Sequence, residues 1–304
     1  MWNLFESPWR GVWGLDKAVN RRYRRPRRTG ITMVIDTGAG AHWTEDLLEV
    51  AGGHIDHWKF GFGTSALTPG KVLERKIEAL NACDILTYPG GTLLEAAIVQ
   101  EHCRVYMRRA RDLGFRAVEI SEGTIDLGGD RRHRVIDCAR NADLIAITEV
   151  GRKDPMNQPS AAEMAEQALQ DLEWGASWVV VEGRESGRDV GIYDKDGNIR
   201  TQLLDEILDI VGSKLEWLVW EAPNKPQQAD LIKRLGVNTN LGNIAPTDCL
   251  ALEALRSGLR FESFAPIARQ SIQTGEWDPD KVEPANGGNK ESTEEEEDVL
   301  DARA

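Results

Sequence analysis

The sequence predicts an α/β protein built as a single (β/α)8 (TIM) barrel. Two observations carry this reading. Eight short apolar, β-branched runs recur between about residues 30 and 265. An amphipathic stretch of helical spacing follows each of them. Strands alternating with helices form a parallel sheet with helical crossovers, and eight units in roughly 235 residues is the usual size of a closed barrel. An open, doubly wound sheet is the competing architecture. It calls for a glycine-rich fingerprint after the first strand, and Asp36-Thr37-Gly38-Ala39-Gly40 lacks the GxGxxG spacing.

The predicted strands, in order, are Ile31–Asp36, Ile55–Phe62, Ile85–Tyr88, Ala117–Ser121, Leu144–Glu149, Ser177–Glu182, Trp217–Glu221 and Val237–Leu241. The helices between them are marked at their ends. Thr68-Pro69 reads as an N-cap followed by proline in the first turn. Thr92 with Glu95, and Ser160 with Glu163, have capping-box spacing, in which a side-chain oxygen satisfies an amide the helix leaves unpaired. Gly114 and Gly175 stand where helices should end. Asp194-Lys195-Asp196-Gly197 reads as a turn after the sixth strand. It resembles a calcium loop for only a few residues, and calcium is not expected there.

The 304 residues suffice for one large domain, and a hydrophobic share of 41% supplies a sizeable core. No run of ~18 apolar residues occurs, so no membrane-spanning helix is expected. Residues 1–30 lack the apolar stretch of a signal peptide, and a cytoplasmic protein is expected. Cys83, Cys103, Cys138 and Cys249 form no CxxC pair and no zinc spacing with a histidine. They read as small core hydrophobes.

The net charge of −13 is uneven. Residues 1–30 carry a surplus of six positive charges and residues 288–304 a surplus of five negative ones, which leaves −14 between them. The division that follows is a basic arm over 1–30, a catalytic barrel over 31–268 and an acidic, disordered tail over 269–304. The Arg21–Arg28 cluster reads as a solvated arm. An acidic body argues against nucleic acid as a partner.

The chemistry is expected where the strands finish, because in such a barrel these ends meet at one mouth. Asp36, Glu119, Glu149, Glu182 and Glu221 stand at the ends of strands one, four, five, six and seven, with Lys59 on strand two and Asn240 and Asn243 at strand eight. A single terminal carboxylate often marks only where a strand meets water. Five on one rim repel one another, and a divalent cation with oxygen ligands relieves that, Mg²⁺ being the natural choice. The five carboxylates are therefore the candidate metal ligands.

Two glycine-rich segments are candidate anion holders. Gly90, Gly91 and Thr92 lead into a helix N-terminus, although a plain tight turn reads as well. Arg184, Ser186 and Gly187 follow the sixth strand, and an arginine there can grip phosphate or sulfonate oxygens with two parallel bonds. Gly61-Phe62-Gly63-Thr64-Ser65 is a weaker third loop. Lys153 follows strand five. A lysine among carboxylates stays protonated and suits the part of a general acid, with Lys59 a second candidate catalytic cation. No HExxH or GxSxG segment occurs.

Six of these segments, in this order, resemble the phosphosulfolactate synthase family. They are Lys59-Phe60-Gly61-Phe62-Gly63-Thr64-Ser65, Tyr88-Pro89-Gly90-Gly91-Thr92, Ala117-Val118-Glu119-Ile120-Ser121, Thr148-Glu149-Val150-Gly151-Arg152-Lys153, Glu182-Gly183-Arg184-Glu185-Ser186-Gly187 and Glu221-Ala222-Pro223. The resemblance runs from about Ile31 to Phe264. It implies a (β/α)8 barrel and a Mg²⁺-dependent addition of sulfite to phosphoenolpyruvate. The product is (2R)-3-phosphosulfolactate, on the way to coenzyme M. It also implies Lys153 as the acid that protonates C2, Arg184 and the loop amides as anion holders, and a homo-oligomer.

Two positions depart from the family pattern. Thr37 stands where the family often has lysine, and Ser121-Glu122-Gly123 where it usually has Ser-Asp-Gly. The first removes a cation and the second lengthens an acidic arm by one methylene. Two other functions compete: a different phosphoenolpyruvate or enolate reaction on the same barrel, and a non-enzymatic part in stress tolerance through protein contacts.

Overall fold

The computed structural model describes residues 22–278, 280 and 281. The expectations for the first 21 residues of the arm and for most of the acidic tail fall outside these residues. The strands are β1 (Thr32–Asp36), β2 (His57–Phe60), β3 (Leu86–Pro89), β4 (Ala117–Ile120), β5 (Ile145–Val150), β6 (Trp178–Val181), β7 (Leu218–Glu221) and β8 (Asn240–Ile244). All are parallel, in the order β3-β2-β1-β8-β7-β6-β5-β4. Between β3 and β4 the ring closes on one backbone bond, Arg116 N–H to Thr87 O at 3.2 Å.

The principal helices are α1 (Ala41–Ala51), α2 (Gly70–Ala82), α3 (Gly91–Val99), α4 (Cys103–Asp112) and α5 (Gly129–Arg140), followed by α6 (Ala161–Glu173), α7 (Thr201–Val211), α8 (Lys225–Leu235), α9 (Cys249–Arg256) and α10 (Phe261–Thr274). No helix among the described residues is long and apolar enough to cross a membrane. The last helix runs to Thr274, past the boundary drawn at residue 268.

Strand alternation sorts the core into two layers. Ile31, Met33, Leu86, Tyr88, Ala117, Ile147, Val180 and Val219 fill the barrel interior. Trp58, Phe60, Val118, Ile120, Val179, Val181 and Trp220 point outward and pack under the helices. Each large side chain so buried contributes about 1.5–3 kcal/mol.

Two helix starts differ from expectation. Pro69, not Thr68, occupies the N-cap of α2, and the Thr68 hydroxyl donates back to Thr64 O at 2.8 Å. The next helix starts at Gly91 with Gly90 as its cap, so Thr92 and Glu95 form no capping box. Glu95 instead accepts from Ser121 Oγ at 2.5 Å and from the Gly123, Thr124 and Ile125 amides. Ser160 and Glu163 do form one. The four cysteines are free; Cys249 is buried and the other three are partly exposed.

The described part of the basic arm is solvated only in part: Arg24 and Arg28 are exposed, but Arg22, Arg25 and Arg27 pack on the barrel. Arg22 pairs with Glu253 at 3.0 Å and Arg27 with Asp56 at 2.8 Å, and each arginine side chain is 4% exposed. Arg25 donates to Gly52 O, Cys83 O and Asp84 O. Residues 22–30 therefore close the N-terminal end of the barrel. A guanidinium carries five donors, and the carbonyls and carboxylates of this end accept them. Burial alone would push the Glu253 carboxyl up; Arg22 outweighs it and holds the group at about 2.

Candidate active site

The interior layer nearest the mouth is charged. Lys59, Glu119, Glu149 and Glu221 are in phase with the inward residues of their strands, and Glu182 follows β6 in the same phase. These five, with Lys153, Arg184, Asn243, Gly90, Gly91 and Thr92, line one cavity of about 280 Å³. Sequence reasoning named all eleven.

Lys59 is fixed at the centre of the charged layer. Its Nζ donates to Glu221 Oε1 at 2.7 Å and lies 3.4 Å from Glu119 Oε2. Burial works against its charge, but Glu119, Glu221 and Glu149 outweigh burial and raise its pKa well above the ordinary lysine value. The other Glu119 oxygen accepts from the Gly91 amide at 2.9 Å. The other Glu221 oxygen accepts from the Gly183 amide at 2.8 Å.

Glu149, Glu182 and Glu221 each offer a carboxylate oxygen within 4.8 Å of the others. Glu149 Oε1, Glu182 Oε2 and Asn243 Oδ1 are buried and without a hydrogen-bond partner. Unpartnered buried acceptors are costly unless a cation or donor meets them. Burial, then Glu119, pushes the Glu149 carboxyl up to about 7. Burial, then Glu149, drives Glu182 well above the carboxylate range. Glu221 goes down, because Lys59 and its hydrogen bonds outweigh burial. Around the cavity five carboxylates, Glu185 included, face three cations, Lys59, Lys153 and Arg184. With all five ionised this oxygen-rich set is net-negative, and a hard divalent ion, by favouring the ionised forms of Glu149 and Glu182, could be held there.

Lys153 is set differently from Lys59. It is only partly buried, and its Nζ donates to Thr92 Oγ1 at 2.9 Å. Burial opposes its charge, but Glu149, Glu182 and Glu119 outweigh burial and raise its pKa. Its loop leaves β5 through Gly151 at φ +106°, where a Cβ would stand 2.8 Å from that of Glu182. Only glycine suits both constraints. The Arg184 guanidinium leans on this loop, donating to Lys153 O at 3.4 Å. Three lining residues, Phe62, Arg184 and Asn243, adopt left-handed backbone at φ 53°, 58° and 54°. Such strain costs about 1–3 kcal/mol per residue and concentrates at functional sites.

Three candidates lie elsewhere. Asp36 is out of phase with Ile31, Met33 and Ile35, so it faces the helices rather than the mouth. It pairs there with Lys76 and accepts from Trp58 Nε1 at 3.1 Å and from the Gly38 and Ala39 amides. Lys76 thus supplies the positive partner of Asp36, and Thr37 leaves no charge uncompensated there. Ser186 and Gly187 turn their carbonyls to Asn224 and Gln227 and do not line the cavity.

The longer arm of Glu122 also points away. It accepts from the Leu127 amide at 2.5 Å and pairs with Arg132 at 2.8 Å. Sequence reasoning missed Arg132, which is buried and also holds Asp171 and the Glu149 carbonyl. It missed Lys76 and the part played by Glu95 as well. A buried charge on a helix carries no local signal, since its partner lies tens of residues away in the chain.

Residues 20–262 match the family model of (2R)-phospho-3-sulfolactate synthase (ComA). The chain is 38% identical over 250 residues to the phosphosulfolactate synthase of Methanothermobacter thermautotrophicus, covering 81% of this chain and 95% of that protein. It is 38% identical over 247 residues to that of Bacillus subtilis, covering 80% and 95%. Among solved structures, 3-keto-L-gulonate-6-phosphate decarboxylase from Vibrio cholerae aligns at a TM-score of 0.50 and 11% identity, over 76% of this chain and 99% of that one, a likeness of fold alone. With eight barrel strands and an inward ring of glutamates and lysines that coincide with the matched segment, this chain belongs to the (2R)-phospho-3-sulfolactate synthase family of enzymes.

Proposed function

We propose that the protein adds sulfite to phosphoenolpyruvate to give phosphosulfolactate, with Mg²⁺ at the glutamate cluster and Lys153 as the general acid. One observation carries the reading: a partly exposed, protonated Lys153 stands beside the cluster of Glu149, Glu182 and Glu221 in a single small cavity. A pocket rich in carboxylates holds anionic substrates poorly by itself, so the cluster and the substrates call for a shared cation. When bound there, Mg²⁺ would supply the positive charge that stabilises the electron-rich carboxylate of the reacting enolate.

The protein groups then divide the work. Arg184 and the amides of the Gly90–Thr92 segment hold the phosphate or sulfonate oxygens. Sulfite attacks C3, forming the C3–S bond as the C2=C3 electron pair moves onto C2 and into its carboxylate. Lys153 Nζ gives a proton to C2 and is left as the neutral amine, which water reprotonates. Thr92 Oγ1 fixes the direction of that ammonium and so the face on which C2 is protonated. Lys59 is held between two carboxylates and acts as a fixed charge rather than a proton donor.

Incubating the purified protein with phosphoenolpyruvate, sulfite and Mg²⁺ tests this by mass spectrometry of the product. Phosphosulfolactate is the expected product, and folded, metal-supplied protein that makes none overturns the proposal. The same assay separates it from another enolate reaction on this barrel and from a non-catalytic role.

A further inference from the structure

A second concavity lies on the outer surface, away from the barrel mouth. A cleft of about 1030 Å³ opens between α4 and α5. Arg104, Arg108 and Arg111 are spaced by four and then three residues along α4, so they share one face. Arg131 and Arg134 line the cleft from α5. Arg104, Arg108, Arg131 and Arg134 make no ion pair or side-chain hydrogen bond among the described residues, and Arg111 pairs only with its neighbour Asp112 at 3.1 Å. Between these guanidiniums stand exposed aliphatic side chains, with Val99 66% and Val105 57% exposed, and the two acids of the lining are Glu101 and Asp137, the latter paired with Arg140. Five arginines around exposed valines form an interaction surface for an acidic segment that also carries aliphatic side chains.

The complementary sequence is present in this chain. Glu294-Glu295-Glu296-Glu297-Asp298-Val299-Leu300 joins five acids to two aliphatics, on a chain whose net charge is −13. We propose that this segment of one copy docks in the α4–α5 cleft of a second copy. Reach decides against docking within one copy. The C-terminal helix α10 packs on α8 and α9 beside β8, whereas α4 and α5 flank β4 on the opposite side of the ring. A barrel of eight tilted strands wrapped in helices has an outer radius of about 22 Å, so half its circumference is roughly 70 Å. Residues 282–300, fully extended, span at most about 63–68 Å. A tail would have to be stretched taut around its own barrel, while a neighbour's tail meets no such constraint.

The test uses the full-length chain carrying a photo-reactive residue, Val299→p-benzoylphenylalanine, mixed with ¹⁵N-labelled unmodified copies. After irradiation, mass spectrometry locates the adducts. Light tail peptides joined to ¹⁵N-labelled peptides of α4 or α5 are expected. Their yield should fall at least tenfold in an Arg104→Glu/Arg108→Glu acceptor. It should fall likewise at ~0.5 M salt, where the screening length shrinks to about 4 Å. The salt arm stands even if the double variant folds poorly. Adducts confined to light peptides, adducts on another surface, no adduct, or a yield indifferent to salt overturns the proposal.

Discussion

Lys59 Nζ donates to Glu221 Oε1 at 2.7 Å in a charged barrel layer where both side chains are buried. Lys153 stands at the same mouth, partly exposed and held only by a hydroxyl. The two lysines share a charge and a cavity but differ in freedom. The proposed proton donor must recover its proton from water, and of the two lysines Lys153 is the more exposed.

Lys153→Ala should therefore lower kcat by roughly 10²–10⁴-fold, the usual range for a lost general acid. The KM for phosphoenolpyruvate should change little by comparison. Lys153→Arg keeps the charge but does not release its proton, so it should fail to rescue turnover. Steady-state kinetics of both variants check this, and turnover within a few-fold of the parent in either one removes Lys153 from the proton-donor role.

Lys59→Met should act on stability first. It leaves Glu119 and Glu221 buried without their shared cation, and breaking a buried pair from one side costs about 3–5 kcal/mol. Thermal unfolding without added metal should show a clearly lowered Tm. Replacing Glu221 by glutamine leaves Lys59 with Glu119 and should cost less. Equal losses in the two variants would show that Lys59 is not the hub of the layer.

The fold was legible because its signal is periodic. Alternation of strand and helix patterns located all eight strands. The eighth strand was placed three residues early for a physical reason. Asn240 is polar yet buried, donating to Glu216 O and Leu218 O and accepting from the Ile31 amide. A strand closed by side-chain amides does not look apolar. The ring of glutamates was legible because each ends a strand, and Asp36 was misplaced because its position was read without its phase. Arg132, Lys76 and Glu95 stayed hidden because their partners are fixed only by the folded ring.

Asp36→Asn tests that correction. Asp36 and Lys76 form a buried pair behind the barrel wall, so the variant should lose roughly 3–5 kcal/mol of stability. Below its melting temperature it should retain Mg²⁺ affinity and kcat, because Asp36 does not line the cavity. Chemical denaturation and metal titration together decide the matter. Normal stability with lost metal binding would return Asp36 to the ligand set.

The glutamate cluster should make stability depend on pH in a direction set by burial. Glu149 has its carboxyl raised to about 7, and Glu182 is raised as well. A raised carboxyl binds its proton more tightly in the folded than in the unfolded chain. The stabilisation is thus whole below the unfolded value near 4.5 and is lost as pH rises toward 7. For Glu149 alone the loss is on the order of 3 kcal/mol. Metal-free protein should therefore melt lower at pH 8 than the Glu149→Gln variant, and the gap should close near pH 5. Mg²⁺ should restore the parent at pH 8, because it binds the ionised form, and should do much less for the variant. Melting curves with and without Mg²⁺ read this directly. If parent and variant coincide at every pH, the unpaired Glu149 carboxylate is not a source of instability, and the cluster does not need a cation.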